Sequence, residues 1–207
     1  MDQNKKIAEQ TAYDVTLLRQ CFALPRVNVP VLDEFVPERL RPAAVLLPIV
    51  DREGEGLSVL LTRRTDHLHH HPGQISFPGG RREEHDGSPR ITALRETEEE
   101  IGLARSRIEI LGELPDYHTG TGFCITPIVG LIKPPLDLVP DSFEVAEVFE
   151  VPLEFLLDPV NHQRHSMTRD GRVRNYYAMP YGSYYIWGAT AGIIISLWRF
   201  LNETPRP

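Results

Sequence analysis

The stretch Arg95-Glu96-Thr97-Glu98-Glu99-Glu100-Ile101-Gly102-Leu103 constrains this chain more than any other. Its periodicity predicts a helix over residues 91–101, closed by Gly102 just past the C-terminus, where a left-handed residue commonly ends a helix. At about 100° per residue, Glu99 falls about 60° to one side of Glu96 and Glu100 about 40° to the other, so these carboxylates share a face. Leu94, Thr97 and Ile101 gather elsewhere as the stripe to be buried, and Glu98 points to solvent. Like charges three and four residues apart cost roughly a few tenths of a kcal/mol per pair in water, and more on a partly buried face. Arg95 can pair with Glu99 at i,i+4, but one guanidinium cannot neutralise Glu96, Glu99 and Glu100 together. A hard divalent cation can, because magnesium takes oxygen ligands and keeps waters that a phosphate can displace. On the helix alone, a solvated acidic surface explains the charges as well.

The upstream sequence favours the cation. Pro78-Gly79-Gly80 is joined to this helix by a loop of about ten residues, so a backbone without Cβ atoms can bend over the carboxylates and offer carbonyl oxygens. Around this pair the chain reads as strands. Residues 43–50 and 56–62 form a hairpin, 74–77 a short strand, and 108–114, 123–132 and 145–151 further strands. Residues 163–167 and 173–179 make a second hairpin around Asp170-Gly171, and 189–201 a closing helix. Strands with irregularly interspersed helices predict an α/β (α+β) fold, a mixed sheet packed between helices. A helix over residues 6–22 followed by a proline-punctuated stretch sets residues 1–40 apart as an N-terminal helical extension, leaving 41–203 as the main domain.

Composition excludes some partners. A formal charge of −7 opposes non-specific attraction to nucleic acid. The apolar runs fall short of a membrane span, so no membrane partner is expected. Cys21 and Cys124 are too few and too far apart for a disulfide framework or a zinc cluster, which points to the cytoplasm.

Gly80, Arg95, Glu96, Glu99, Glu100, Gly102 and Leu103 together resemble the Nudix box, G-x5-E-x7-R-E-U-x-E-E-x-G-U with U apolar. The chain departs from it with Asp86 at the first acidic position, one residue more before Arg95, and Thr97 at an apolar position. A second stretch, residues 60–80, resembles the signature of the coenzyme A pyrophosphatase branch of the Nudix hydrolases. His71, Gly73, Gln74 and Phe77 to Gly80 match it, while His69 stands where that branch usually has Arg.

The resemblance implies an α/β/α sandwich in which Glu96, Glu99 and Glu100, with the Gly79 or Gly80 carbonyl, hold magnesium or manganese against a diphosphate. It implies catalytic work for Arg95, and a general base among Glu99, Glu144 and Glu147. Arg63 or Arg64 would meet phosphate, only one of an adjacent strand pair being able to face the site. His71, Gln74 and Phe77 would contact the substrate. That substrate would be coenzyme A or an acyl derivative, cleaved to 3′,5′-ADP and the 4′-phosphopantetheine product. ADP-ribose, dinucleotides and nucleoside triphosphates are the alternatives within the family, and a non-catalytic nucleotide-binding module the alternative outside catalysis. His67, His69, His70 and His71 read as a structural or substrate-contacting loop ahead of a transition-metal tract. Trp187 and the tyrosines at 181, 184 and 185 read as core or dimer packing, which leaves a homodimer open.

Overall fold

The computed structural model describes residues 13–24, 39–68, 71–169 and 171–203. Its centre is β1 (Arg41–Arg52), the longest strand, in which Ala43, Ala44, Leu46, Leu47, Ile49 and Val50 are all buried. A near-continuous apolar run of this kind suits a strand covered on both faces. Successive side chains divide between two cores, as strand geometry requires. Ala44, Leu46 and Val50 join one, Leu47 and Ile49 the other.

β1 pairs antiparallel with β2 (Gly56–Arg64) on one side and parallel with β7 (Phe123–Ile132) on the other. Beyond these lie β8 (Val145–Pro152) on β2 and β5 (Ile108–Glu113) on β7, while the short strands β3 (Ile75–Ser76), β4 (Gly79–Arg81) and β6 (Tyr117–His118) pair with β2, β1 and β7 in turn. One parallel pair among antiparallel ones makes the sheet mixed, as expected. The helix α2 (Pro89–Ile101) covers one face, with Ala93 and Ile101 in its core cluster. The helices α1 (Val15–Ala23), α3 (Leu153–Leu157) and α4 (Ala189–Glu203) cover the other. A separate antiparallel sheet of β9 (Gln163–Arg169), β10 (Arg172–Tyr181) and β11 (Tyr184–Trp187) closes that side, burying Met179 and Ile186.

Sequence expectations change at two helices here. Leu18 and Cys21 of α1 are fully buried in the same cluster as α4, so this helix is one layer of the sandwich. The earlier part of its expected span, residues 6–12, and the proline-punctuated segment 25–38 lie outside the described residues. On α2 the buried stripe is Ala93, Thr97 and Ile101, with Leu94 only partly buried. The helix also starts two residues earlier than expected. Ser88 caps it by accepting the Ile91 N–H at 3.3 Å, and Pro89 takes the first turn, where no donor is needed. Gly102 ends it at φ 70°, its N–H donating to the Glu98 carbonyl at 3.0 Å.

Candidate active site

The site forms where β4 lies against α2. Ala44 and Val45 of β1 register with Gly80 and Gly79, which brings the glycine pair over the helix. A Cβ on Gly80 would run into the Glu96 carboxylate, and one on Gly79 would sit 2.5 Å from the Ala44 carbonyl oxygen. The glycines are therefore required by close approach on both sides of the strand.

Arg95 organises the helix face. Its Nε and Nη2 donate to the two oxygens of Asp86 at 3.2 and 3.0 Å, a two-pronged pairing. Nη2 also lies 2.9 Å from Glu96 Oε1, and Nη1 donates to Glu99 Oε2 at 2.9 Å. Asp86 has no exposed side-chain surface, and it further accepts from Thr92 Oγ1 and the Glu83 N–H, each at 3.0 Å. The Arg95 hydrogen bond holds this carboxyl far below the usual carboxylate range, and burial only partly opposes it. Asp86 is thus the anchor of Arg95, a role the sequence did not reveal beyond an acidic residue near the box position.

The carboxylates differ in depth. Glu99 is 59% exposed, Glu96 19% and Glu100 7%. Glu98 points outward and pairs with Arg105 at 2.8 Å. Burial pushes Glu100 up to about 8, although the Gly79 N–H donates to it at 3.2 Å and Arg64 lies 3.8 Å away. Burial also raises Glu96, against the pull of Arg95. Glu144 adds repulsion at both, and Arg64 Nη2 stands 3.8 Å from it.

Among the described residues, no three His, Cys, Asp or Glu side chains converge closely enough to grip a metal as they stand, because Arg95 draws Glu96 and Glu99 while Gly79 draws Glu100. The donor set nonetheless fits a hard cation. Glu96 is cradled where Gly80 leaves no room for a Cβ, and Glu100 is a buried carboxylate whose charge the protein leaves largely uncompensated.

Of the residues expected at the site, the fold brings together Gly80, Arg95, Glu96, Glu99, Glu100, Arg64 and Glu144. It places the others elsewhere. Arg63 and Glu147 pair at 3.3 Å, and Glu147 accepts from Tyr184 Oη, whose ring stacks on Phe149 in the core opposite α2. Phe77 is only 3% exposed and belongs to that same core. His71 sits exposed at φ 56°, its carbonyl accepting the Gln74 N–H, and the Gln74 carbonyl accepts the Arg64 N–H at 3.0 Å. These two shape the loop that delivers Arg64. His69 and His70 lie outside the described residues.

A mixed sheet between helices, with a glycine pair over a carboxylate helix, defines a Nudix-type hydrolase. The NUDIX domain family matches residues 39–170, and the chain belongs to that family. It is similar to two proteins described as uncharacterized Nudix hydrolase NudL. One, from Enterobacter sp. (strain 638), is 43% identical over 157 residues, covering 76% of this chain and 81% of the relative. The other, from Escherichia coli (strain K12), is 40% identical over 173 residues, covering 84% and 86%. Among solved structures, the Nudix hydrolase RenU of M. smegmatis aligns with a TM-score of 0.48 at 25% identity, covering 62% of this chain and 81% of that one. No helix among the described residues is long and apolar enough to cross a membrane.

Proposed function

We propose that this Nudix hydrolase cleaves the diphosphate of coenzyme A or its acyl derivatives, giving 3′,5′-ADP and the 4′-phosphopantetheine product. The observation that carries the reading is the course of residues 60–80. The described residues of this stretch, which bears the resemblance to the coenzyme A branch, supply the end of β2, all of β3 and the start of β4, and set Arg64 3.8 Å from both Glu100 and Glu144.

Glu96, Glu99 and Glu100, with the Gly80 carbonyl, are the residues that would hold magnesium or manganese. Such an ion supplies Lewis-acid neutralisation of phosphate charge and lowers the pKa of an attacking water. The chain's own groups do the rest. Asp86 fixes Arg95, and Arg95 sets the orientation of Glu96 and Glu99. The Gly79 N–H holds Glu100 against β4. Arg64 is free to exchange its long contacts with Glu100 and Glu144 for a phosphate oxygen, a stronger charge-assisted partner at closer range. Of the three candidate general bases, Glu99, Glu144 and Glu147, the reading favours Glu99 and Glu144, since Glu147 is engaged by Arg63 and Tyr184.

The reading is tested by kcat/KM for coenzyme A, an acyl derivative, ADP-ribose, NADH and a nucleoside triphosphate, since discrimination lies in that ratio. Coenzyme A or its acyl form should rank first. ADP-ribose turned over at least as efficiently would keep the pyrophosphatase chemistry and overturn the substrate.

A further inference from the structure

On the face of β4 away from the carboxylates, two arginines share one aromatic ring. Arg41 Cζ lies 4.1 Å from the centre of Phe123, and Arg81 Cζ 5.5 Å from it. Strand register explains the grouping. Arg41 pairs with Phe123 across β1 and β7, while Arg81 pairs with Ala43 across β1 and β4, so all three rise from neighbouring positions on one face. Both arginines are exposed, and among the described residues neither has a carboxylate within ion-pair distance. Among the described residues Arg41 donates to the Thr121 carbonyl, at 3.3 Å. A third guanidinium, Arg174, reaches the same β6–β7 turn, donating to the Gly120 carbonyl at 3.3 Å. Arg41 and Arg81, drawn to one ring, repel one another unless an anion lies between them.

The position relates this cluster to the diphosphate site. Arg81 directly follows Gly80, so their Cα atoms are about 3.8 Å apart, and alternation sends the two residues to opposite faces. Among the described strands β4 pairs with β1 alone. A ligand laid across β4 would have the carboxylates on one face and the guanidinia on the other.

We propose that Arg41 and Arg81, held on Phe123, form a subsite for a second phosphate of the substrate, a phosphomonoester on the nucleotide ribose distinct from the diphosphate. The proposal rests on the coenzyme A reading, whose 3′-phosphate is such a group. It makes Arg41 and Arg81 the specificity residues that separate coenzyme A from ADP-ribose and from dephospho-coenzyme A. Phe123 keeps the two forks spread over its ring, so that each can present paired N–H donors to one phosphate.

The test is calorimetric titration of the full chain, without metal, using 3′,5′-ADP and 5′-AMP, which differ only in that phosphomonoester. Wild type should bind 3′,5′-ADP about tenfold or more tightly than 5′-AMP, as charge-assisted pairing with a phosphate predicts. Arg41→Gln and Arg81→Gln should each shrink the ratio, and the double variant should bring it close to one, with unchanged circular dichroism to confirm the fold. Equal affinities in wild type, or an undiminished ratio in the double variant, would overturn the subsite. The outcome separates from that of the substrate reading. A chain that leaves coenzyme A uncleaved but shows the arginine-dependent preference keeps the subsite and loses the substrate. One that cleaves coenzyme A while the double variant retains the preference keeps the substrate and loses the subsite.

Discussion

At the scale of single residues, Asp86 and Glu100 carry opposite electrostatic burdens. Asp86 is ionised, buried and fully paired, so removing its charge breaks the two-pronged pair with Arg95 and leaves that guanidinium to Glu96 and Glu99. Breaking one partner of a buried pair costs about 3 kcal/mol or more, and Asp86→Asn should lower the free energy of urea unfolding by that order. Glu100 is buried and weakly compensated, with its pKa at about 8. A carboxyl raised in the folded state contributes stability that is complete below its unfolded pKa and is lost as pH rises through the folded one. In EDTA the wild-type melting temperature should therefore fall, relative to Glu100→Gln, as pH rises from about 5 to 8. Metal binding requires the ionised form, so below about pH 8 magnesium affinity should gain close to tenfold per pH unit, a slope Glu100→Gln should lack. Calorimetric titration at several pH values reads it directly. Glu98, paired outside the site with Arg105, should tolerate Gln with kcat changed by less than about twofold, whereas Glu96→Gln and Glu100→Gln should lower kcat by roughly 10²-fold or more.

At the scale of elements, the account depends on how closely β4 and the 137–144 loop approach α2. Gly80→Ala places a methyl group against the Glu96 carboxylate and should lower kcat roughly 10²-fold while circular dichroism stays native. Gly102→Ala forces a left-handed residue and meets Val139 at 2.9 Å, so it should cost about 1–2 kcal/mol in thermal or urea unfolding. The same loop bonds the Glu100 carbonyl through the Asp141 N–H at 2.9 Å and carries Glu144, so this substitution should also reduce kcat. The helix phase was legible in the sequence because carboxylate spacing at 3.6 residues per turn is local information. The facing of Arg63, Arg64 and Glu147 was not, because a register shift between Arg63 and Arg64 in the β2–β8 pairing decides it. The burial of Phe77 is hidden in the sequence for a related reason. A motif match marks a position, and only the sheet decides which core that position enters. Asp86 bonds Arg95 through a loop whose turn no periodicity describes, so its partner emerges only in the folded chain.

At the scale of the whole molecule, the mixed sheet and its covering helices were readable from alternating strands and the helix at 91–101. The placement of α1 as a layer was not, since Leu18 and Cys21 look no different in sequence from an exposed amphipathic stripe. The sandwich matters to function because it fixes β2, β4 and α2 together, so that residues far apart in the chain, Arg64, Gly80 and Glu100, meet at one edge. The most direct test of that arrangement is the product analysis of purified chain incubated with coenzyme A and magnesium, followed by mass spectrometry. The account predicts 3′,5′-ADP and 4′-phosphopantetheine in equal amounts, suppressed by EDTA and by Glu100→Gln. Intact coenzyme A under these conditions, or the same products formed at full rate in excess EDTA, would contradict it.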